Sequence, residues 1–264
     1  MNLKYAFAFI AFLFLTACSK NENDLVVVKD QKIQAGVAIT FDDNYVDEWY
    51  DAAQVLEKYN WKATFFVSQF NTLSSKELNK LKILKDRGNE IGGHGWIHLK
   101  ASPFEKNNGK ANYLETEIFP MINSMNQKSF EIHSFAYPYG SRDSLTDTIL
   151  LNEFNIIRGT TYGNEPPHLQ RCYFDNQSRV LFGLGIDNNY AQYSIPYFLS
   201  LLEYAKANNK VVVFYAHKPV LKSKSKSKYE TEYKTLIAIC KYIQDNDMKF
   251  YTVSDLYLKE RNKK

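Results

Sequence analysis

Short runs of apolar, β-branched and aromatic residues recur along the chain, and the segments after them carry apolar positions at helical spacing. The strand-like runs fall at 36–41, 63–67, 90–93, 134–138, 156–160, 180–185, 211–215 and 249–253. Helical periodicity predicts α-helices over 46–59, 75–87, 195–207 and 233–246. The second has explicit end signals. Ser74 with Glu77 forms a capping box ahead of Leu78, Leu81 and Leu84, and Gly88 closes the far end. Repeated β-α units of this kind predict an α/β chain, and in a parallel barrel the functional groups collect at the C-terminal ends of the strands.

Chemically useful residues sit at those ends. Asp42, Asp43, His94, Tyr139 and His217 each follow a strand-like run. Asp43 with His94 and His98 supplies one carboxylate and two imidazoles, the complement of a catalytic zinc centre whose fourth position stays open. The i, i+4 spacing of His94 and His98 predicts that both project from one face of a helical turn. Asp42 and His217 are then free for proton transfer, the first as base and the second as acid.

The motif set resembles the NodB-type polysaccharide deacetylases, carbohydrate esterase family 4. The matching segments are Thr40-Phe41-Asp42-Asp43, His94-Gly95-Trp96-Ile97-His98, Ala136-Tyr137-Pro138-Tyr139-Gly140 and Val213-Phe214-Tyr215-Ala216-His217, in the family's order and at its spacing. The resemblance spans roughly residues 35–258. It implies a distorted (β/α)7 barrel, Asp42 as general base, Asp43, His94 and His98 as metal ligands, and His217 as general acid. It also implies an oxyanion donor in the backbone N–H of Tyr139, positioned by Pro138 and Gly140. The ion is expected to be Zn2+, although nitrogen and oxygen donors admit Co2+ or Ni2+. The implied activity is removal of acetyl groups from an N-acetylated polysaccharide or peptidoglycan glycan, or from an O-acetylated xylan-like chain. Two other readings stay open: a glycan-binding protein that retains the metal without turnover, and a related hydrolase of C–N bonds in small molecules.

Some positions depart from the family pattern. Gly95 stands where the family usually has Ser or Thr, removing a hydroxyl that could orient the loop. Asn44 occupies a place that is often Gly. Ala136 replaces an Arg that contacts the base in many members, so the positive charge that holds Asp42 ionised must come from elsewhere. Arg158, at another strand end, is the candidate, against an ordinary rim ion pair. Trp96 and the Pro138–Tyr139 pair are candidate substrate contacts, with packing beneath the loop as the other reading for Trp96.

The N-terminus adds a compartment. Lys4 precedes an apolar run over 5–15, too short for a typical span, and Leu15-Thr16-Ala17-Cys18 resembles a lipobox. The expected organisation is a lipoprotein signal peptide over 1–17, an acylated Cys18 with a polar linker over 18–34, a deacetylase-like domain over 35–258 and a basic tail over 259–264. That implies a bacterial envelope protein held at the membrane by lipid on Cys18, on the periplasmic face or the cell surface. The chain has 33 basic and 29 acidic side chains; Lys4 is the one charge in the leader, so the mature chain carries a net +3 and gives no argument for nucleic acid. Oligomeric state is not legible. Cys172 and Cys240 are expected to be buried and unpaired, with a disulfide as the alternative. The run 222–228 of alternating Lys and Ser follows His217 and is either a solvated loop or an attractor for acidic glycans. His133 and His168 match no motif.

Overall fold

The structure is a computed structural model that describes residues 33–175, 177–223 and 228–261. Seven strands run parallel in chain order: β1 (Gly36–Asp43), β2 (Ala63–Val67), β3 (Glu90–Gly93), β4 (Ser134–Ala136), β5 (Ile156–Thr161), β6 (Val180–Gly185) and β7 (Val211–Ala216). β7 pairs back onto β1 from Gly36↔Val211 to Phe41↔Ala216, which closes the sheet into a (β/α)7 barrel. A small parallel ribbon of β8 (Lys218–Val220) and β9 (Glu230–Glu232) stands beyond the end of β7. β10 (Lys249–Phe250) pairs with the start of β1, while β2 pairs with β1 from Ile39 onward.

The helices follow the periodicity where it is strong. α1 (Val46–Leu56) is extended by a 3₁₀ turn to Tyr59, and α2 (Ser75–Asp86) starts on the Ser74–Glu77 capping box read from the sequence. Between β3 and β4 lies a broken helical excursion: α3 (Ala101–Asn108), α4 (Lys110–Tyr113), a π-helical turn (Leu114–Ile118) and α5 (Phe119–Gln127). α6 (Ser144–Leu150), α7 (Ile195–Ala207), α8 (Tyr233–Asp245) and α9 (Val253–Arg261) complete the layer.

Four expectations change. The segment from β5 to β6 holds no α-helix, only a 3₁₀ turn at Pro167–Leu169; Pro166 and Pro167 lack the amides a helix needs. β4 stops at Ala136, ahead of Pro138, for the same reason. The run at 249–253 stops at Phe250 because Thr252 and Asp255 cap each other's amides and start α9. α9 runs to Arg261, into the stretch read as a tail, and Ile33 is already buried near the end of the stretch read as linker. The leader, Cys18 and residues 224–227 of the Lys/Ser run lie outside the described residues. Among the described residues no helix is long and apolar enough to cross a membrane.

Side chains alternate along each strand between the barrel axis and the helical layer. Ala38, Phe66, Ala136, Leu181 and Val213 share the interior cluster, whereas Val37, Ile39, Phe41, Phe65, Val212 and Phe214 pack outward under the helices. Cys172 and Cys240 are buried free thiols, and burial pushes both up to about 12.

Candidate active site

Alternation alone would send neighbouring Asp42 and Asp43 to opposite faces of β1. Asp42 keeps the inward direction of Ala38 and Thr40. Asp43 has φ 81, a left-handed backbone that is rare for a residue with a side chain, and this bend brings both carboxylates to the same barrel mouth. Asp43 Oδ1 lies 3.3 Å from His98 Nε2 and 3.7 Å from His94 Nε2, and the two imidazole nitrogens are 3.2 Å apart. A tetrahedral ion with donor bonds of about 2.0–2.2 Å needs donor–donor edges of roughly 3.3–3.6 Å, and the three edges here, 3.2, 3.3 and 3.7 Å, lie within about 0.1 Å of that range. His94 Nδ1 faces the carbonyl oxygen of Ala136 at 2.8 Å; as an N–H donor there it leaves the Nε2 lone pair for a metal. Burial pushes His94 below the usual histidine range, and burial with the neighbouring His94 pushes His98 down to about 4, so both are neutral donors near pH 7.

The helical turn expected for the two histidines is absent. Residues 94–100 form an irregular loop after β3, with Gly95 at φ 90 and His98 at φ 65. The histidines converge because the chain reverses between them. The loop is tied down by Glu117, on the π-helical turn, whose side chain is fully buried. Its Oε2 accepts from the amide of Ile97 at 2.9 Å and its Oε1 from the amide of Leu99 at 2.7 Å.

Asp42 is buried, and Arg158 Nη2 from β5 donates to its Oδ1 as an ion pair. Arg158 reaches across the barrel between the rings of Phe66 and Tyr215, its guanidinium carbon 5.5 and 5.1 Å from their centroids. Burial opposes ionising Asp42, yet Arg158, with His94 and His217, outweighs it and holds the carboxyl below the usual range. Ala136 and Arg158 are register partners on adjacent strands. Arg158 thus reaches Asp42 from the strand next to position 136, as a buried pair and not as an ordinary rim ion pair.

His217 follows β7 by alternation from Val213 and Tyr215. Its Nδ1 lies 2.6 Å from Asp187 Oδ2, and its backbone N–H donates to Asp187 Oδ1 at 3.1 Å. Trp49 Nε1 donates to the carbonyl of His217 at 2.8 Å, fixing the backbone from the helix side. Burial would lower the His217 pKa, but the bond and charge of Asp187, with the fields of Asp42 and Asp43, raise it to about 9. Asp187, wholly buried just beyond β6, was not singled out from the sequence, although its place after a strand end was the available signal.

Asp42, Asp43, His94, His98 and His217 line one cavity of about 230 Å³ with Gly140, Thr160 and five tyrosines: Tyr139, Tyr162, Tyr190, Tyr215 and Tyr229. Tyr139 lies against His98 with ring centroids 4.6 Å apart, and Tyr229 lies against His217 at 4.9 Å. Tyr229, Tyr190 and Tyr162 follow one another at 5.8 and 6.4 Å, an arc of rings along one wall. Tyr139, at φ 59, is an exposed rim residue as expected. Trp96 and Pro138 do not line the cavity: Trp96 packs against the outer core and Pro138 is buried below the loop, so the tyrosines take the wall assigned to Trp96. His133 and His168 lie outside this cavity.

Known proteins resemble part of this sequence and share its fold. The family model described as Polysaccharide deacetylase matches residues 29–153. No curated protein matches the chain. Among solved structures, the Xyl-CE4 domain of a multidomain xylanase from the hindgut metagenome of Trinervitermes trinervoides superposes with TM-score 0.52 at 18% identity, covering 86% of this chain and 92% of that one. A peptidoglycan deacetylase from Bacillus subtilis gives TM-score 0.52 at 17% identity, over 87% of this chain and 93% of its own. A family 4 acetyl xylan esterase from Clostridium thermocellum, solved in complex with a cobalt ion, gives 0.52 at 17%, over 84% and 90%. The chain thus shares the closed seven-stranded barrel fold of these structures, and its residues 29–153 are similar to the polysaccharide deacetylase family.

Proposed function

We propose that the protein is a metal-dependent hydrolase that removes acetyl groups from a carbohydrate polymer. The observation that carries this reading is the meeting, in one cavity, of a three-donor set with a held base and a held acid. Asp43, His94 and His98 would hold a divalent ion, with zinc first among candidates and cobalt or nickel compatible with the donors. When bound, the ion supplies Lewis acidity, which lowers the pKa of water and polarises an acyl carbonyl.

The remaining work falls to the chain. Asp42, kept anionic by Arg158, accepts the proton lost by attacking water. His217 carries its proton on Nε2 near neutral pH because Asp187 holds Nδ1, and it delivers that proton to the departing amine or alcohol. The Tyr139 backbone N–H is the proposed further donor to the oxyanion. The exposed rings of Tyr139, Tyr162 and Tyr229 offer faces against which a sugar ring can stack. An amine leaves poorly unless protonated, so an N-acetyl substrate would depend on the His217 proton more than an ester would. In the proposed setting, lipid on Cys18 holds the barrel at the envelope, next to peptidoglycan or other glycans.

The test is acetate release from acetylated chitooligosaccharides, peptidoglycan and acetylated xylan, with and without added divalent metal, beside an Asp42→Asn control. Metal-dependent release abolished by Asp42→Asn supports the reading. Tight binding of one ion per chain with no release from any substrate would favour a glycan-binding protein instead.

A further inference from the structure

Gly95 and Glu117 are coupled by space. A Cβ built on Gly95 would lie 2.1 Å from Glu117 Oε1, far inside any real contact. The loop can therefore hold a side chain at position 95 or the carboxylate of Glu117 beneath it, not both. The carboxylate grips the amides of Ile97 and Leu99, the residues on either side of His98. His98 is thus clamped at both flanks in its left-handed conformation, which persists in a residue with a side chain only where the surroundings over-determine it. The grip continues through the backbone, since Trp96 N–H donates to the Glu117 carbonyl at 3.1 Å. The π-helical turn at Leu114–Ile118, a distortion frequent at functional sites, carries Glu117 itself.

From this geometry we infer that Glu117 is a positioning residue for the metal centre: its buried carboxylate sets the loop that aims His98, the task a hydroxyl at position 95 would otherwise serve. The inference rests on the metal-site reading above. It involves no contact between Glu117 and substrate or ion.

The test uses the full-length protein, with Zn2+ affinity read by competition against a chromophoric chelator and coordination read from the visible spectrum of the Co2+ form. Glu117→Gln keeps the shape but turns an –NH2 donor towards an amide donor. It should weaken Zn2+ binding by roughly 10- to 100-fold, the range for supports of metal ligands, and alter the Co2+ bands. Glu90→Gln is the control for mere loosening. Glu90 accepts from Thr64, Ser134 and Ser254 at the far end of β3, so its loss should lower the melting temperature and leave Zn2+ affinity unchanged. Should Glu117→Gln fail to fold, Glu117→Asp, which keeps the acceptors one methylene short, should still bind Zn2+ several-fold more weakly. Affinity within twofold of the unaltered protein with an unchanged Co2+ spectrum overturns the inference alone, as does an equal loss in Glu90→Gln. Failure of the unaltered protein to bind Zn2+ overturns the metal-site reading and this inference with it.

Discussion

Replacing Arg158 by Met keeps most of the side-chain volume between Phe66 and Tyr215 and removes the charge. Asp42 is 3% exposed and Arg158 is wholly buried, so the variant leaves a buried carboxylate without its cation. Breaking a buried pair in this way costs about 3–5 kcal/mol. The cost depends on pH, and the sign is fixed by linkage. In the unaltered protein Asp42 is held below the usual range, so pairing stabilises the fold above the unfolded pKa of about 3.9 and is lost as pH falls through the lower folded value. In Arg158→Met, burial is opposed only by the histidines and the folded pKa rises. The deficit is then largest at high pH and shrinks as Asp42 takes up a proton. Thermal unfolding of chelator-treated protein at about pH 8 and about pH 5 should show the gap between variant and parent narrowing at the lower value. The acid limb of the rate profile should move to higher pH, with a loss of roughly 10²–10⁴ at neutrality as the base is protonated. Because Ala136 is the register partner of position 158, Ala136→Arg in an Arg158→Ala background should recover part of both losses. A deficit independent of pH, with an unmoved acid limb, would refute the argument that Arg158 holds Asp42 ionised.

Other consequences follow from the same geometry. His217→Ala should lower turnover by roughly 10²–10⁴ in steady-state kinetics. In chelator-treated protein the raised His217 pKa stabilises the fold fully below about 6.5, and that contribution should fade as pH rises through about 9, a slope that His217→Ala removes from the unfolding curves. Asp187→Asn should shift the alkaline limb of the rate profile to lower pH, because the charge that raises His217 is gone. Cys172 and Cys240, both buried with raised pKa, should react with a thiol reagent only after unfolding, and reductant should not change the melting temperature.

The barrel was legible because its signals are local. The β1 and β7 runs, the Ser74–Glu77 box and the strand-end placement of Asp42, His94 and His217 depend on neighbours within a few residues. The substitution of Arg158 for the missing arginine at 136 was legible from charge and strand ends together. What lay hidden depends on contacts across the chain. Glu117 reads as one more polar helix position, and only its approach to a loop some twenty residues earlier gives it a role. The His94–His98 spacing misled because i, i+4 proximity has a helical solution and a loop solution, and the strain at His98 that selects the loop is not written in its identity. Tyr162 and Tyr190 follow strand ends and were findable. Tyr229 reaches the cavity only through the β8–β9 ribbon.

The most direct test of the metal-centred site is chelation and reconstitution. Protein stripped of metal should release no acetate from its best glycan substrate, and one equivalent of Zn2+ per chain should restore turnover in the parent but not in Asp43→Ala. Full activity after stripping, or restoration in Asp43→Ala equal to the parent, would contradict the assignment of Asp43, His94 and His98 as the metal site.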